Sequence, residues 1–397
     1  MNIVLVPNSY PPRIGGLEIT VSCVAHELAR AGNRVTVIAG SPAAEIADNE
    51  PDGIVVYRIP FFLPRLVTSA GRQRFLRSLG NTLLCPLTVP WNVVRFLTTV
   101  RETRPAVVNL HYLAENALFC LLARMLYRFK FVVNIHGSDI EGYSARPSLA
   151  RWLARKTLRT ADYVVANSFD LLAKAIRIEP TVEGKSSVIG NAVYPEDFSP
   201  THKVYSEERS ILCIANFSRN KGQDVLIRAF AQLRFETAGK ARLLFAGDGP
   251  ELARCRELAD LLGVGSETSF LGRVGRDRIP TLLAESTVCV VPSRNEAFGV
   301  VALEAMASRK PVIATRVGGI QEIVQHMRNG LLVAPESPES LAEALALVLA
   351  NGELAERLAG NGYRFVNEQY SWSEISKKYY DVFTRVTNKD HDNQGIT

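Results

Sequence analysis

The chain has 397 residues, 47% of them hydrophobic, and a formal net charge of +6. That length exceeds one average core and predicts two domains. No apolar run reaches about 18 residues, which argues against a membrane-spanning helix, and the moderate charge comes without a recognised nucleic-acid motif.

Strand-like apolar runs alternate with helical patterns from the start. Asn2 to Val6 reads as a first strand, because it has no basic lead and too short an apolar run for a signal peptide. A Pro/Gly loop follows, then a helix over Glu18 to Ala31 and strands at Arg34 to Ala39 and Val55 to Ile59. Between Arg58 and Arg104 stand eight arginines (58, 65, 72, 74, 77, 95, 101, 104) and one acid, Glu102, interleaved with Phe61, Phe62, Trp91 and Phe96. Such a segment fits an anionic membrane surface, and equally an amphipathic helical pair with a solvated basic face. Strands at Ala106 to Leu110, Lys130 to Ile135 and Tyr163 to Ala166 alternate with helices near Glu115 to Arg128 and Ser148 to Arg159.

The pattern restarts after a polar, turn-rich stretch from Val193 to Pro200 that continues through Lys203 to Arg209. Six further strands follow, at Ile211 to Ala215, Arg242 to Ala246, Ser269 to Leu271, Val288 to Val291, Pro311 to Ala314 and Gly330 to Val333. The fold class is therefore α/β, with two doubly wound Rossmann-like domains, 1–203 and 204–370. Ligands in such sheets bind off the carboxyl ends of the strands, which places the site in a cleft between the domains. A terminal helix over 371–390 is expected, and the polar tail from Thr387 reads as disordered. The cysteines at 23, 85, 120, 213, 255 and 289 are scattered through apolar patterns without zinc spacing, which favours a reducing, cytoplasmic compartment.

The segment Ser293 to Ala307 carries the most chemistry. A short loop leads into a nearly all-apolar helix broken by one carboxylate, Glu304, with a second, Glu296, in the loop. A Glu among Leu303, Ala305 and Met306 needs a cation or a polar ligand. The amides of Phe298, Gly299, Val300 and Val301 at the helix start suit an anion such as diphosphate. Phosphate together with carboxylates that accept from hydroxyls points to a sugar nucleotide.

Glu296 and Glu304, eight residues apart with Phe298-Gly299 between them, resemble the retaining family 4 glycosyltransferases (glycosyl transferases group 1). That resemblance implies the GT-B fold, in which the terminal helix returns to the first domain. It implies that Glu304 binds ribose hydroxyls and Glu296 the donor sugar. Lys221-Gly222-x-Asp224 resembles the family's Lys-Gly element, whose cations grip diphosphate. Where many members carry Arg five residues before the Lys, this chain has Asn216, and Arg219 is the nearest basic substitute. The Gly15-Gly16 loop matches an element that contacts the donor phosphates or the acceptor, and the Gly247-Asp248-Gly249-Pro250 turn and Arg273 match donor-side elements, Arg273 as a stacking or merely solvated residue. Leu252 at the third glycine position of the Gly247 turn argues against a nicotinamide site. Gly318-Gly319-x-x-Glu322 matches a loop-ordering turn. His136 would hold donor sugar hydroxyls, and Asp139 either assists the acceptor or caps a helix.

The reading is transfer of a sugar from a nucleoside diphosphate sugar to an acceptor hydroxyl, with retention, no metal and no cofactor. The acceptor is unknown; the basic segment favours a lipid-linked or polysaccharide precursor at the inner face of a membrane, and bacterial cell-surface assembly is a setting implied by the resemblance. The Asp390-His391-Asp392 element is given no role. A sugar-phosphate epimerase or phosphorylase of the same fold, an oxidoreductase, and a non-catalytic sugar-nucleotide-binding module remain as rivals.

Overall fold

The computed structural model describes residues 1–12, 15–40, 45–61, 75–198, 209–237 and 241–394. The chain divides into two compact units, Met1–Gly190 with the chain from Ile375 onward, and Asn191–Glu374.

The first unit holds β1 (Asn2–Pro7), α1 (Gly16–Arg30), β2 (Arg34–Gly40), β3 (Glu45–Asn49), β4 (Val55–Ile59), α2 (Phe75–Thr103), β5 (Val107–His111), α3 (Asn116–Leu126), β6 (Lys130–Ile135), α4 (Ser148–Thr160), β7 (Tyr163–Ala166), α5 (Phe169–Ile178) and β8 (Ser186–Val188). Its sheet runs β3-β4-β2-β1-β5-β6-β7-β8. All pairs are parallel except β3 with β4. Strands β5, β6 and β7 read as continuous buried runs because helices cover both faces. From β1 the chain first moves toward β2 and later toward β5. Right-handed crossovers therefore put α1 on one face and α2 to α5 on the other.

The second unit holds β9 (Arg209–Ile214), α6 (Gln223–Thr237), β10 (Ala241–Ala246), α7 (Leu252–Leu261), β11 (Thr268–Phe270), α8 (Ile279–Glu285), β12 (Val288–Val291), α9 (Val300–Ala307), β13 (Val312–Thr315), α10 (Ile320–Ile323), β14 (Leu331–Val333), α11 (Pro338–Ala350) and α12 (Gly352–Gln369). The sheet is parallel throughout, in the order β11-β10-β9-β12-β13-β14. Two cores flank it: one built with α6, α7 and α11, the other with α8, α9 and α10.

The first unit ends at Gly190 rather than at 203. Val193 bridges Ser371, its N–H donates to the Tyr370 carbonyl at 3.0 Å, and Phe198 joins the α9 core. These contacts bind 191–198 to the second unit. The helix α13 (Trp372–Gln394) carries the chain back to the first unit, where Asn134 Nδ2 donates to Tyr379 Oη at 2.7 Å. It runs past Thr387, where the polar composition had suggested loss of structure, because no Gly or Pro interrupts it before Gly395. Residues 199–208, 62–74 and 13–14 lie outside the described residues, and with them most of the expected linker, Arg65, Arg72 and Arg74 of the basic segment, and Arg13 of the first loop.

Candidate functional site

In the second sheet the strand order reverses between β9 and β12. Loops leaving adjacent strands on either side of such a reversal diverge and open a crevice at the carboxyl edge. The loop after β9 carries Lys221 and the loop after β12 carries Glu296. The structure brings them together, with Lys221 Nζ 2.7 Å from Glu296 Oε2. Ser293 Oγ donates to the same oxygen at 3.1 Å. The Gly318-Gly319 turn after β13 supports the loop from below, the Gly319 N–H donating to the Glu296 carbonyl at 2.9 Å.

Arg294, which the sequence did not single out, fastens these loops to each other. Its Nη1 and Nη2 donate to the two Asp224 carboxylate oxygens, each at 2.8 Å, and Nε donates to Glu336 at 2.6 Å. Nη1 also donates to the Arg219 carbonyl at 2.7 Å, and the Arg294 amide to the Asn220 carbonyl at 2.7 Å. Partial burial works to raise the Asp224 carboxyl, but the Arg294 fork outweighs it and holds the group below its usual range. The Arg219 side chain is not brought to Lys221 or Glu296. It is exposed and lines a separate cavity of about 190 Å³ with Asp224, Glu251, Arg254 and Arg294.

Helix α9 starts at Val300 behind Gly299, whose φ of +102° is open to glycine and strained for other residues. No side chain caps this start, so the amides of Val300 and Val301 head the helix uncapped. Phe298 is buried, its ring 5.9 Å from that of Tyr370, and anchors the loop to the core. One turn further in, Glu304 is only 3% exposed. Burial pushes its carboxyl up to about 7, opposed by one cation, Arg276 Nη1 at 3.3 Å from Oε1. Among the described residues no hydrogen bond reaches this carboxylate. Arg276 supplies the cation, one of the two partners, cation or polar ligand, expected for this carboxylate. Gly247 packs its α-carbon against the Ala215 carbonyl and donates its N–H to Gly272 at 2.8 Å, which ties the β10 loop to the β9 and β11 loops. Arg273 beside it is exposed.

In the first unit the order reverses between β1 and β5. Asn116 Nδ2 spans that point, donating to the carbonyls of Val6 at 3.1 Å and His111 at 3.2 Å. His136, at the end of β6, stacks on buried His111 with centroids 5.3 Å apart, and His136 Nε2 lies 3.2 Å from His111 Nδ1. Asn167 Nδ2 reaches His136 Nδ1 at 3.1 Å. With that amide donating, His136 carries its proton on Nε2 and donates to His111. Loss of hydration pushes His136 down to about 4 and His111 well below its usual value, so both rings are neutral at pH 7. His111 and Asn167 escaped the sequence reading; the polar positions Asn109 and His111 inside an apolar strand were the available signal. Asp139 accepts from the amides of Gly137 at 2.8 Å, His136 at 3.1 Å and Leu113 at 3.3 Å. It is fully buried, and what it does here is order the backbone of the His136 turn, a role beside the acceptor and helix-cap roles expected of it.

Gly16 opens α1, but the Glu18 carboxylate accepts from Ser9 and folds over the α-carbon of Gly15. A resident carboxylate thus stands at the helix start where the donor phosphates or the acceptor were expected. Among the described residues no three His, Cys, Asp or Glu side chains gather as a metal site requires, and the side chains of Asp390, His391 and Asp392 lie outside them.

Two family models match this chain: "Glycosyl transferase 4-like domain" over residues 15–192 and "Glycosyl transferases group 1" over residues 196–365. The N-acetyl-alpha-D-glucosaminyl L-malate synthase of Bacillus anthracis is 30% identical over 72% of this chain and 76% of its own length. The GDP-mannose-dependent alpha-(1-6)-phosphatidylinositol monomannoside mannosyltransferase of Mycobacterium tuberculosis is 28% identical over 96% of this chain and 97% of its own. Among solved structures, sucrose-phosphate synthase from Thermosynechococcus elongatus superposes with a TM-score of 0.80 at 23% identity, covering 97% of this chain and 98% of that one. Anabaena HepE in complex with UDP and glucose gives 0.75 at 20% identity, covering 97% and 99%.

Proposed function

Because this chain belongs to the group 1 glycosyltransferases, enzymes of GT-B fold, we propose that it moves a sugar from a nucleoside diphosphate sugar to an acceptor hydroxyl with retention at the anomeric carbon and without a metal. What supports this most is the Lys221–Glu296 pair at the strand-order reversal, beside an uncapped α9 and a buried Glu304 that lacks hydrogen bonds among the described residues. Lys221 and the α9 amides hold the diphosphate and stabilise its charge as the glycosidic bond breaks. Glu304 accepts from ribose hydroxyls and Glu296 from those of the donor sugar. The acceptor oxygen attacks from the leaving-group face, and a phosphate oxygen takes its proton. His136, a neutral imidazole, reaches sugar hydroxyls by exchanging its bond to His111 or Asn167 for one to the donor, since both its nitrogens are engaged here. A thermal-shift screen of uridine, guanosine, adenosine and cytidine diphosphates and their sugars tests the donor reading. A shift with one of them that is lost in Lys221→Ala and Glu304→Ala supports it; no shift with any, in folded protein, overturns it. Donor turnover without added acceptor favours the epimerase or phosphorylase reading, and donor affinity without any turnover favours the binding module.

The acceptor is a lipid-linked or polysaccharide precursor at an anionic membrane surface, with the enzyme peripheral on the cytoplasmic side. The mycobacterial relative supports a lipid acceptor by its name. No helix among the described residues is long and apolar enough to cross a membrane. Two of the three tryptophans, Trp91 on α2 and Trp152 on α4, are exposed, while Trp372 is buried. Exposed Arg101, Arg151, Arg155, Lys156 and Arg159 lie on those two helices, and exposed Arg104 and Arg128 just past the ends of α2 and α3. Exposed tryptophan among cations suits a bilayer interface. Phosphatidylglycerol vesicles, and not phosphatidylcholine ones, should shift Trp91 and Trp152 emission to the blue; unchanged emission with both rejects membrane association.

A further inference from the structure

We infer that Arg276 is a positioning residue for the donor: it holds one oxygen of the buried Glu304 carboxylate and keeps that group an acceptor for ribose hydroxyls. The inference rests on the donor reading above and adds a residue to it.

A carboxylate that is 3% exposed and receives no hydrogen bond from the described residues is costly in its charged form. In its neutral form it is a poor partner for a ribose diol, because two hydroxyls need acceptors while a carboxylic acid spends one oxygen on its own proton. The site therefore needs a cation that offsets burial without filling the carboxylate. Arg276 meets both conditions. It sits on the turn Arg276–Arg278, between β11 and α8, and its side chain is 44% exposed. Its Nη1 lies 3.3 Å from Oε1, as an ion pair and not as a hydrogen bond of good geometry. Among the described residues no second basic group engages Glu304. The remaining titratable neighbour, the Cys289 thiol on β12, is driven upward by burial and stays neutral.

Even with Arg276 in place the Glu304 carboxyl titrates at about 7. Donor binding near neutral pH is therefore linked to release of a proton from Glu304. Removing Arg276 moves that titration upward and weakens donor binding at neutral pH, while the charged form still forms at higher pH.

The test is calorimetric titration of UDP-glucose and GDP-mannose, whose diphosphate diesters do not titrate in this range, into the whole protein between pH 5.5 and 9. For the parent, affinity should fall as pH drops below about 7, with up to one proton released per donor bound. Arg276→Gln should bind about two- to fivefold more weakly at pH 7, the effect of raising a titration near 7 by about half to one pKa unit, and recover toward the parent at pH 9. Arg276→Lys should restore most of the loss. The 2′-deoxy and 3′-deoxy donors should bind weakly and lose the pH dependence. An Arg276→Gln profile that overlays the parent, or tighter binding in that variant, overturns the inference while leaving the donor site standing. Failure of folded parent protein to bind these donors, or any other donor of the thermal-shift screen, at any pH removes the donor reading itself, and this inference with it.

Discussion

Replacing Glu304 with glutamine should stabilise the free enzyme in alkaline buffer while crippling donor binding. The folded carboxyl titrates at about 7 against an ordinary value of 4.5. In the unfolded chain the proton leaves near 4.5, whereas in the folded chain it stays until about 7. The unfolded state thus binds fewer protons throughout that window, and stability falls as pH rises through it. Each pKa unit is worth about 1.4 kcal/mol, so the charged form costs the fold about 3 kcal/mol above pH 7. Only 3% of the residue is exposed, so solvent screening removes little of this. The glutamine is a near-isosteric stand-in for the neutral acid, so its own packing effects are read at pH 4 and subtracted. The stability of Glu304→Gln relative to the parent should improve by about 3 kcal/mol between pH 4 and pH 8. For a domain of this size that is about 6–12 °C in Tm. Calorimetric melts at the two pH values measure it, and nucleotide titration at pH 8 should show binding weakened at least tenfold. A gap between variant and parent that is equal at pH 4 and pH 8 would refute the argument, as would a parent that gains on the variant as pH rises.

Arg294→Ala removes the fork to Asp224 and the bond to the Arg219 carbonyl. Asp224 is more than a third exposed, so the lower part of the charge-assisted range applies, and the total loss should be about 2–3 kcal/mol with a raised KM for donor; denaturant melts and initial rates check both, and an unchanged KM would show that the two loops do not need this tie. Lys221→Ala leaves Glu296 without its cation and the leaving diphosphate without its charge partner, so kcat should drop about 100-fold or more, read in single-turnover assays; a loss in KM alone would place Lys221 in ground-state binding. The first unit should lose stability as pH falls from about 6.5 toward 4, because His136 protonates readily when unfolded and only near 4 when folded, and His111 is depressed further. Far-UV melts of the His136→Asn variant should show a shallower acid limb, and an identical limb would assign the effect elsewhere.

Much of this molecule was legible before folding. The two doubly wound domains follow from apolar runs of strand length alternating with helical patterns, since period and run length are local properties of the chain. Glu304 stood out because its neighbours Leu303, Ala305 and Met306 announce a buried helix face, and burial of a lone carboxylate demands a partner. The partner's identity was not local. Arg276 comes from a turn on the far side of β12 in the chain and meets α9 only because β12 crosses the sheet to lie beside β9. The same reversal in strand order joins Lys221 to Glu296 and Arg294 to Asp224, each about 70 residues or more apart in sequence. In the first unit, His111 became part of the site because parallel pairing of β5 with β6 sets its ring against His136. Asp139 resolved toward a backbone role because folding buries it among amides. Residue type and spacing thus determined which groups are chemically costly to bury, and strand order decided which of them relieve one another.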